Sequence, residues 1–204
     1  AGAISQGDAG QLTVSTGPSD LNAGTDITLE SATNDFVGAL NASGVAISLV
    51  DATALTLGAV TATGTLTAQA ADTLDLSGAI SVDTLDLTST DGDITQSAGT
   101  LSVTTGPTAL EAAGSITLAQ TNTFGGTLNV AGGTNVTVNE TDALLTLGDV
   151  SVSGKLTVTA ATDLALSGTI SVASLDGTAT AGAISQDQAG QLMVSNGPST
   201  LGAG

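Results

Sequence analysis

The chain repeats itself at a fixed interval of ninety residues. Ala3-Ile4-Ser5-Gln6 returns as Asp93-Ile94-Thr95-Gln96 and again as Ala183-Ile184-Ser185-Gln186. Residues 181–204 match residues 1–24 at 18 of 24 positions, with no gap. A constant long period is the mark of a stacked array, in which each unit buries its apolar face against its neighbours. The period divides the 204 residues into a first unit, 1–90, a second, 91–180, and the start of a third, 181–204, all in one continuous rod.

A shorter rhythm runs inside each unit. Apolar anchors stand at Ile4, Ile27, Ile47, Leu74 and Ile94, then at Ile116, Val136, Leu164 and Ile184. Between them lie segments such as Gly10-Gln11-Leu12-Thr13-Val14 and Gly64-Thr65-Leu66-Thr67. Apolar and polar residues alternate over four to seven positions, bounded by Gly, Asn, Asp and Pro, which is the pattern of a half-buried strand. Strands that recur once per coil in one direction form parallel ladders. The fold expected is all-β: a right-handed parallel β-helix with about four coils per unit, about nine in the chain. In it the third coil is long and carries an extra strand at 55–60, repeated at 145–150. An array of β-sandwiches is the rival, but it needs bulky residues between its sheets. The second unit loses one residue at each of two polar connections and gains one at each of two others, so its anchors stay in phase.

Large side chains are nearly missing. Phe36 and Phe124 are the only aromatics, at equivalent positions, and are expected buried at the same corner of the coil about four rungs apart. Stacked Leu, Ile, Val and Ala must fill the rest of the core. The charge is one-sided: 19 acids face a single base, Lys155, and there is no histidine or cysteine. That excludes an ordinary nucleic-acid surface, which needs clustered cations, and it disfavours anionic lipid. Disulfides and thiolate metal sites are excluded as well. No apolar run is long enough to span a membrane as a helix.

The segments Gly-Asp-Ile-Thr-Gln (92–96), Gly-Thr-Leu-Ser-Val (99–103), Gly-Ser-Ile-Thr-Leu (114–118) and Leu-Thr-Leu-Gly (145–148) resemble the repeat regions of filamentous haemagglutinin-like adhesins. These are large bacterial surface or secreted proteins, many exported by two-partner secretion. The resemblance covers the whole chain and rests on short strand motifs. It implies a right-handed β-helical shaft from an extracellular protein, and it carries over no catalytic residue.

Candidate chemistry is sparse. Without His or Cys, nucleophilic triads and most metal-activated waters are out. Asp83 with Asp86, or Asp91 with Asp93, are the nearest approach to a glycosidase pair, but no aromatic or cationic group accompanies them. Calcium would suit the acidic stretch Asp72, Asp75, Asp83, Asp86, Asp91 and Asp93. Ninety residues on, those positions read Thr162, Ala165, Ala173, Asp176, Ala181 and Ala183, so one acid in six survives. The acids are therefore expected to be solvated, with no metal, cofactor or catalytic residue. Thr61, Thr63, Thr65 and Thr67 form a possible ice-binding row, which Lys155 interrupts in the second unit. The sequons at Asn41, Asn135 and Asn139 are at chance frequency for so Ser- and Thr-rich a chain.

The expected function is structural: a shaft or fibre segment of a bacterial extracellular adhesin or matrix filament, without catalysis. The alternative is a binding module whose exposed strand faces recognise ice, mineral or glycan. The expected partners are neighbouring repeats of a longer chain or copies of itself end to end, with a possible surface or matrix ligand and no nucleic acid. Both termini fall within the repeat, so the 204 residues are expected to be a window on a longer filament or to stack on copies of themselves.

Overall fold

Short alternating segments cannot satisfy their backbone alone, and here each is paired with its counterpart one coil away. The computed structural model describes residues 2–7 and 10–204. Among these, short strands with no helix wind into a parallel β-solenoid of about ten turns. Two long sheets, of 12 and 13 strands, enclose a single core, and a two-stranded sheet adds a third side near the start. Alternation sorts the side chains. In Ile47–Asp51, for example, Ile47, Leu49 and Asp51 point in while Ser48 and Val50 are half exposed. Each fully buried Leu or Ile contributes about 1.5–3 kcal/mol of transfer free energy.

The ladders correct the count of coils. In the 12-stranded sheet the ladder from Ile4 climbs through Ile27, Ile47, Leu66, Leu85, Thr108, Leu128 and Leu147. In the 13-stranded sheet a second ladder runs Leu55, Leu74, Ile94, Ile116, Val136, Leu156 and Leu175. From Ile4, four steps reach Leu85, and Ile94 then stands half a turn further on, in the opposite sheet. A ninety-residue unit is thus about four and a half coils, and consecutive units present equivalent residues on opposite sides of the rod. Two units restore the phase, and Ile184 returns to the sheet of Ile4.

The long third coil is the origin of that half turn. Its strand Leu55–Ala62 belongs to the 13-stranded sheet, and the next, Thr65–Ala70, to the 12-stranded one. The interval from Ile47 to Leu74 is therefore a coil and a half, and the same holds from Val136 to Leu164. The anchors do not form one column, but they share one core: all are buried except Ile4 and Ile184 in the end coils, which are partly buried against it.

Candidate functional site

Where the coil is widest, its extra residues make a third side. Val14 pairs with Phe36 there, and in the second unit Val103 pairs with Phe124. Both phenylalanines are buried, at 3% and 2% exposure. They do not share a corner. Phe36 follows the 12-stranded sheet and precedes the 13-stranded one, while Phe124 lies in the reverse order, as the half-coil offset requires.

The coil after each phenylalanine is narrower, and a carboxylate ends the third side. Asp51, 1% exposed, accepts bonds from the Phe36 amide at 2.8 Å and the Thr53 amide at 2.7 Å. Glu140, also 1% exposed, accepts from the amides of Phe124 at 2.6 Å, Asp142 at 2.8 Å and Ala143 at 3.2 Å. Each acid takes the place that the next strand's carbonyl would have filled, so the amides of Phe36 and Phe124 keep an acceptor. Behind them, the amides of Asn34 and Asn122 donate to the carbonyls of Leu29 and Leu118. Sequence reasoning passed over these four residues. The signal was present: Ile47-Leu49-Asp51 and Val136-Val138-Glu140 put an acid on the inward phase of a strand in both units.

A glutamine joins the network from the preceding coil. Gln6 and Asn34 exchange two bonds, at 2.6 and 3.0 Å, and Gln6 Oε1 also accepts from the Ser31 amide. Gln96 accepts from the Gln120 amide in the same way. Its Nε2 and the Oδ1 of Asn122 are buried without a partner, a donor and an acceptor at the positions that bond each other in the first unit.

The acids serve the backbone as well. The residue ahead of an anchor accepts, through Oδ1, the amide one coil on: Asp26 from Ala46, Asp93 from Ser115, Asn135 from Lys155 and Asp163 from Ala183. Asp75 takes the hydroxyls of Thr95 and Ser97, Asp83 those of Thr104 and Thr105, and Asp72 the Thr73 amide. These acids were expected to be merely solvated; four of the six, Asp72, Asp75, Asp83 and Asp93, also bond amides or hydroxyls, while Asp86 and Asp91 are exposed as expected. Among the described residues no group of three or more ligating side chains gathers to hold a metal. All three sequon asparagines are engaged: Asn41 with Asp20 and the Ala59 amide, Asn135 with the Lys155 amide, and Asn139 with the Gln120 carbonyl.

On the outer faces the proposed threonine row dissolves. Thr61 lies in the 13-stranded sheet and Thr65 and Thr67 in the other, with the corner at Thr63-Gly64 between them. A different row appears along the axis: Thr95, Thr117, Thr137 and Thr157, between Asp75 and Asp176. Lys155 forms an ion pair with Asp176, and this bond holds the Asp176 carboxyl below the ordinary carboxylate range. Each unit also has a bulge, after Leu40 and after Leu128, whose asparagine bonds the strand above, through Asn41 to the Ala59 amide and Asn129 to the Asp149 amide. Open depressions of about 280 and 570 Å³ adjoin the two bulges; Asn129, Asp149, Ser151, Thr169 and Ser171 line the larger. The arrangement is suited to holding coils in register, and the depressions it offers a ligand are open and shallow.

Comparison with known proteins is in keeping with this. The profile of a family described as repeats of unknown function, DUF5649, matches residues 1–43, 44–86, 71–131 and 133–180. The first two matches each span about two coils. Neither a curated protein nor a solved structure matches the chain.

Proposed function

Because the chain belongs to the DUF5649 family of repeats of unknown function, we propose its role from its build: it is a structural shaft segment of a bacterial extracellular adhesin or matrix fibre, exported to the cell surface and without catalysis. Its partners are neighbouring repeats or copies of itself joined end to end. The observation that carries this reading is the contrast between inside and outside across the two units. The core ladder, the buried phenylalanines and their buried acids recur, whereas the outward residues drift. The 13-stranded face stacks four threonines, yet the other face stacks Ser48, Thr67, Asp86, Ala109 and Asn129. A shaft must preserve only what keeps its coils together.

The test is to join increasing numbers of ninety-residue units and measure rod length by electron microscopy. Each added unit is expected to lengthen the rod by about 22 Å, four and a half strand spacings. A length that fails to grow with unit number overturns the shaft. The depression at Asn129 favours a second reading, a module that binds a hydroxyl-rich glycan. Binding to a glycan panel that Asp149→Ala abolishes would establish it in place of the first.

A further inference from the structure

The widened coil of each unit carries the same pair of amide side chains, and only one pair is complete. In the first unit Gln6 Nε2 donates to Asn34 Oδ1 at 2.6 Å, and Asn34 Nδ2 donates to Gln6 Oε1 at 3.0 Å. Both side chains also hold the backbone. Gln6 Oε1 accepts from the Ser31 amide, Asn34 Oδ1 accepts from the Leu12 amide, and Asn34 Nδ2 donates to the Leu29 carbonyl.

In the second unit Gln96 and Asn122 keep two of these tethers to the backbone. Gln96 Oε1 accepts from the Gln120 amide at 3.3 Å, and Asn122 Nδ2 donates to the Leu118 carbonyl at 3.0 Å. The bonds between the two side chains are gone. Gln96 Nε2 and Asn122 Oδ1 have no protein partner, although Gln96 is only 5% exposed and Asn122 is fully buried. Chain length accounts for the change. Asn34 follows Leu29 by five residues, whereas Asn122 follows Leu118 by four. Each asparagine stays tied to the carbonyl of its leucine, so the shorter connection sets Asn122 differently toward its glutamine.

A buried polar group left unpaired is costly, and two at one corner require a partner. The two are a donor and an acceptor. A cation has no lone pair for the Nε2 hydrogens, and an anion has no proton for Oδ1. What serves both must accept and donate at once, must be neutral, and must be small, since protein covers both residues almost wholly. Water meets all three conditions, and buried waters typically bridge groups that the protein leaves unsatisfied.

We propose that the second unit binds one buried water between Gln96 Nε2 and Asn122 Oδ1, in place of the direct bonds that join Gln6 to Asn34 in the first. The water accepts from the glutamine and donates to the asparagine. It takes up the residue lost from the connection, so that Phe124, two residues on, stays as deeply buried as Phe36. A deletion in a polar connection is thus absorbed by hydration, and the core does not shift. The site goes beyond the shaft reading and holds whether or not the rod serves as one.

The test is a crystal structure of the full chain at a resolution that shows ordered water. Density is expected for a single water within hydrogen-bond distance of both Gln96 Nε2 and Asn122 Oδ1, and for none between Gln6 and Asn34. A direct bond from Gln96 to Asn122, an ion in the site or a dry gap would each overturn the proposal. A second chain tests the cause. Residues 119–121 are replaced by Glu-Ser-Ala-Thr, the sequence of residues 30–33, which restores the five-residue spacing. With its circular dichroism unchanged, this chain is expected to show Gln96 bonded directly to the asparagine and the water expelled. A water retained there overturns the link to chain length, and the unaltered chain alone decides whether the water is bound.

Discussion

The two units differ most where they face water and least where they face the core. Of the six acids between Asp72 and Asp93 only one is matched by an acid ninety residues on, yet Asp51 and Glu140, buried at equivalent places, are both acidic. Side-chain length changes there while function does not: Asp51 bonds the Phe36 and Thr53 amides, and the longer Glu140 spans the Phe124, Asp142 and Ala143 amides in a connection one residue longer. The lesson is that in this rod an acid persists where the backbone needs an acceptor. Where water can supply the acceptor, it drifts.

The largest expected effect tests whether the two widened coils are energetically equivalent. Phe36→Ala and Phe124→Ala should each lower unfolding free energy by roughly 3–5 kcal/mol, since each empties a buried ring's volume. Chemical denaturation measures it. A cost near zero at one site alone would show that the coils around it repack and break the equivalence.

Next come the buried acids. Asp51→Ala and Glu140→Ala leave amides without acceptors in a dry interior, at roughly 1–3 kcal/mol for each group orphaned. The Glu140 variant, with three amides released, is expected to lose more than the Asp51 variant. Equal losses would mean that water enters both sites.

The bulges should respond more mildly. A Cβ at Gly58 or Gly148 meets Oδ1 of Asn41 or Asn129, so Gly58→Ala and Gly148→Ala displace the asparagine that bonds the next strand. Loss of one such bond is expected to cost about 0.5–1.5 kcal/mol, and similarly in both units. Stabilisation by either substitution, read from the melting midpoint, would show that the asparagine bond contributes nothing.

The smallest effects concern charge. Excess chelator should leave circular dichroism and the melting temperature unchanged, because a structural ion would add stability with its concentration; a fall of several degrees would reinstate calcium. Lys155→Ala should leave stability almost unchanged, because water screens so exposed a pair. The sign of its pH dependence is fixed. A carboxyl with a depressed folded-state pKa stabilises at neutral pH, and that contribution fades as acid protonates Asp176. A pH titration of both forms should therefore converge in acid.

Much of this was legible in the linear chain. Period-two alternation and a ninety-residue repeat sufficed for a parallel β-solenoid, because the apolar phase of each strand has only one place to go. Burial of Phe36 and Phe124 followed from the scarcity of large side chains. Asp51 and Glu140 could have been found from their inward phase, but acidity was read as a surface property.

What the chain by itself determined was the set of inward residues, the parallel pairing and the repeat. What only the tertiary structure decided was phase. The rod advances by about 20 residues per turn, and ninety is not a whole number of turns, so equivalent residues alternate between opposite sheets. A sequence records distance along the chain and is blind to angle around the axis. The angle is set by how tightly each corner turns over its packed core, as at Thr63-Gly64, where threonines adjacent in sequence part to opposite faces and others twenty residues apart come together.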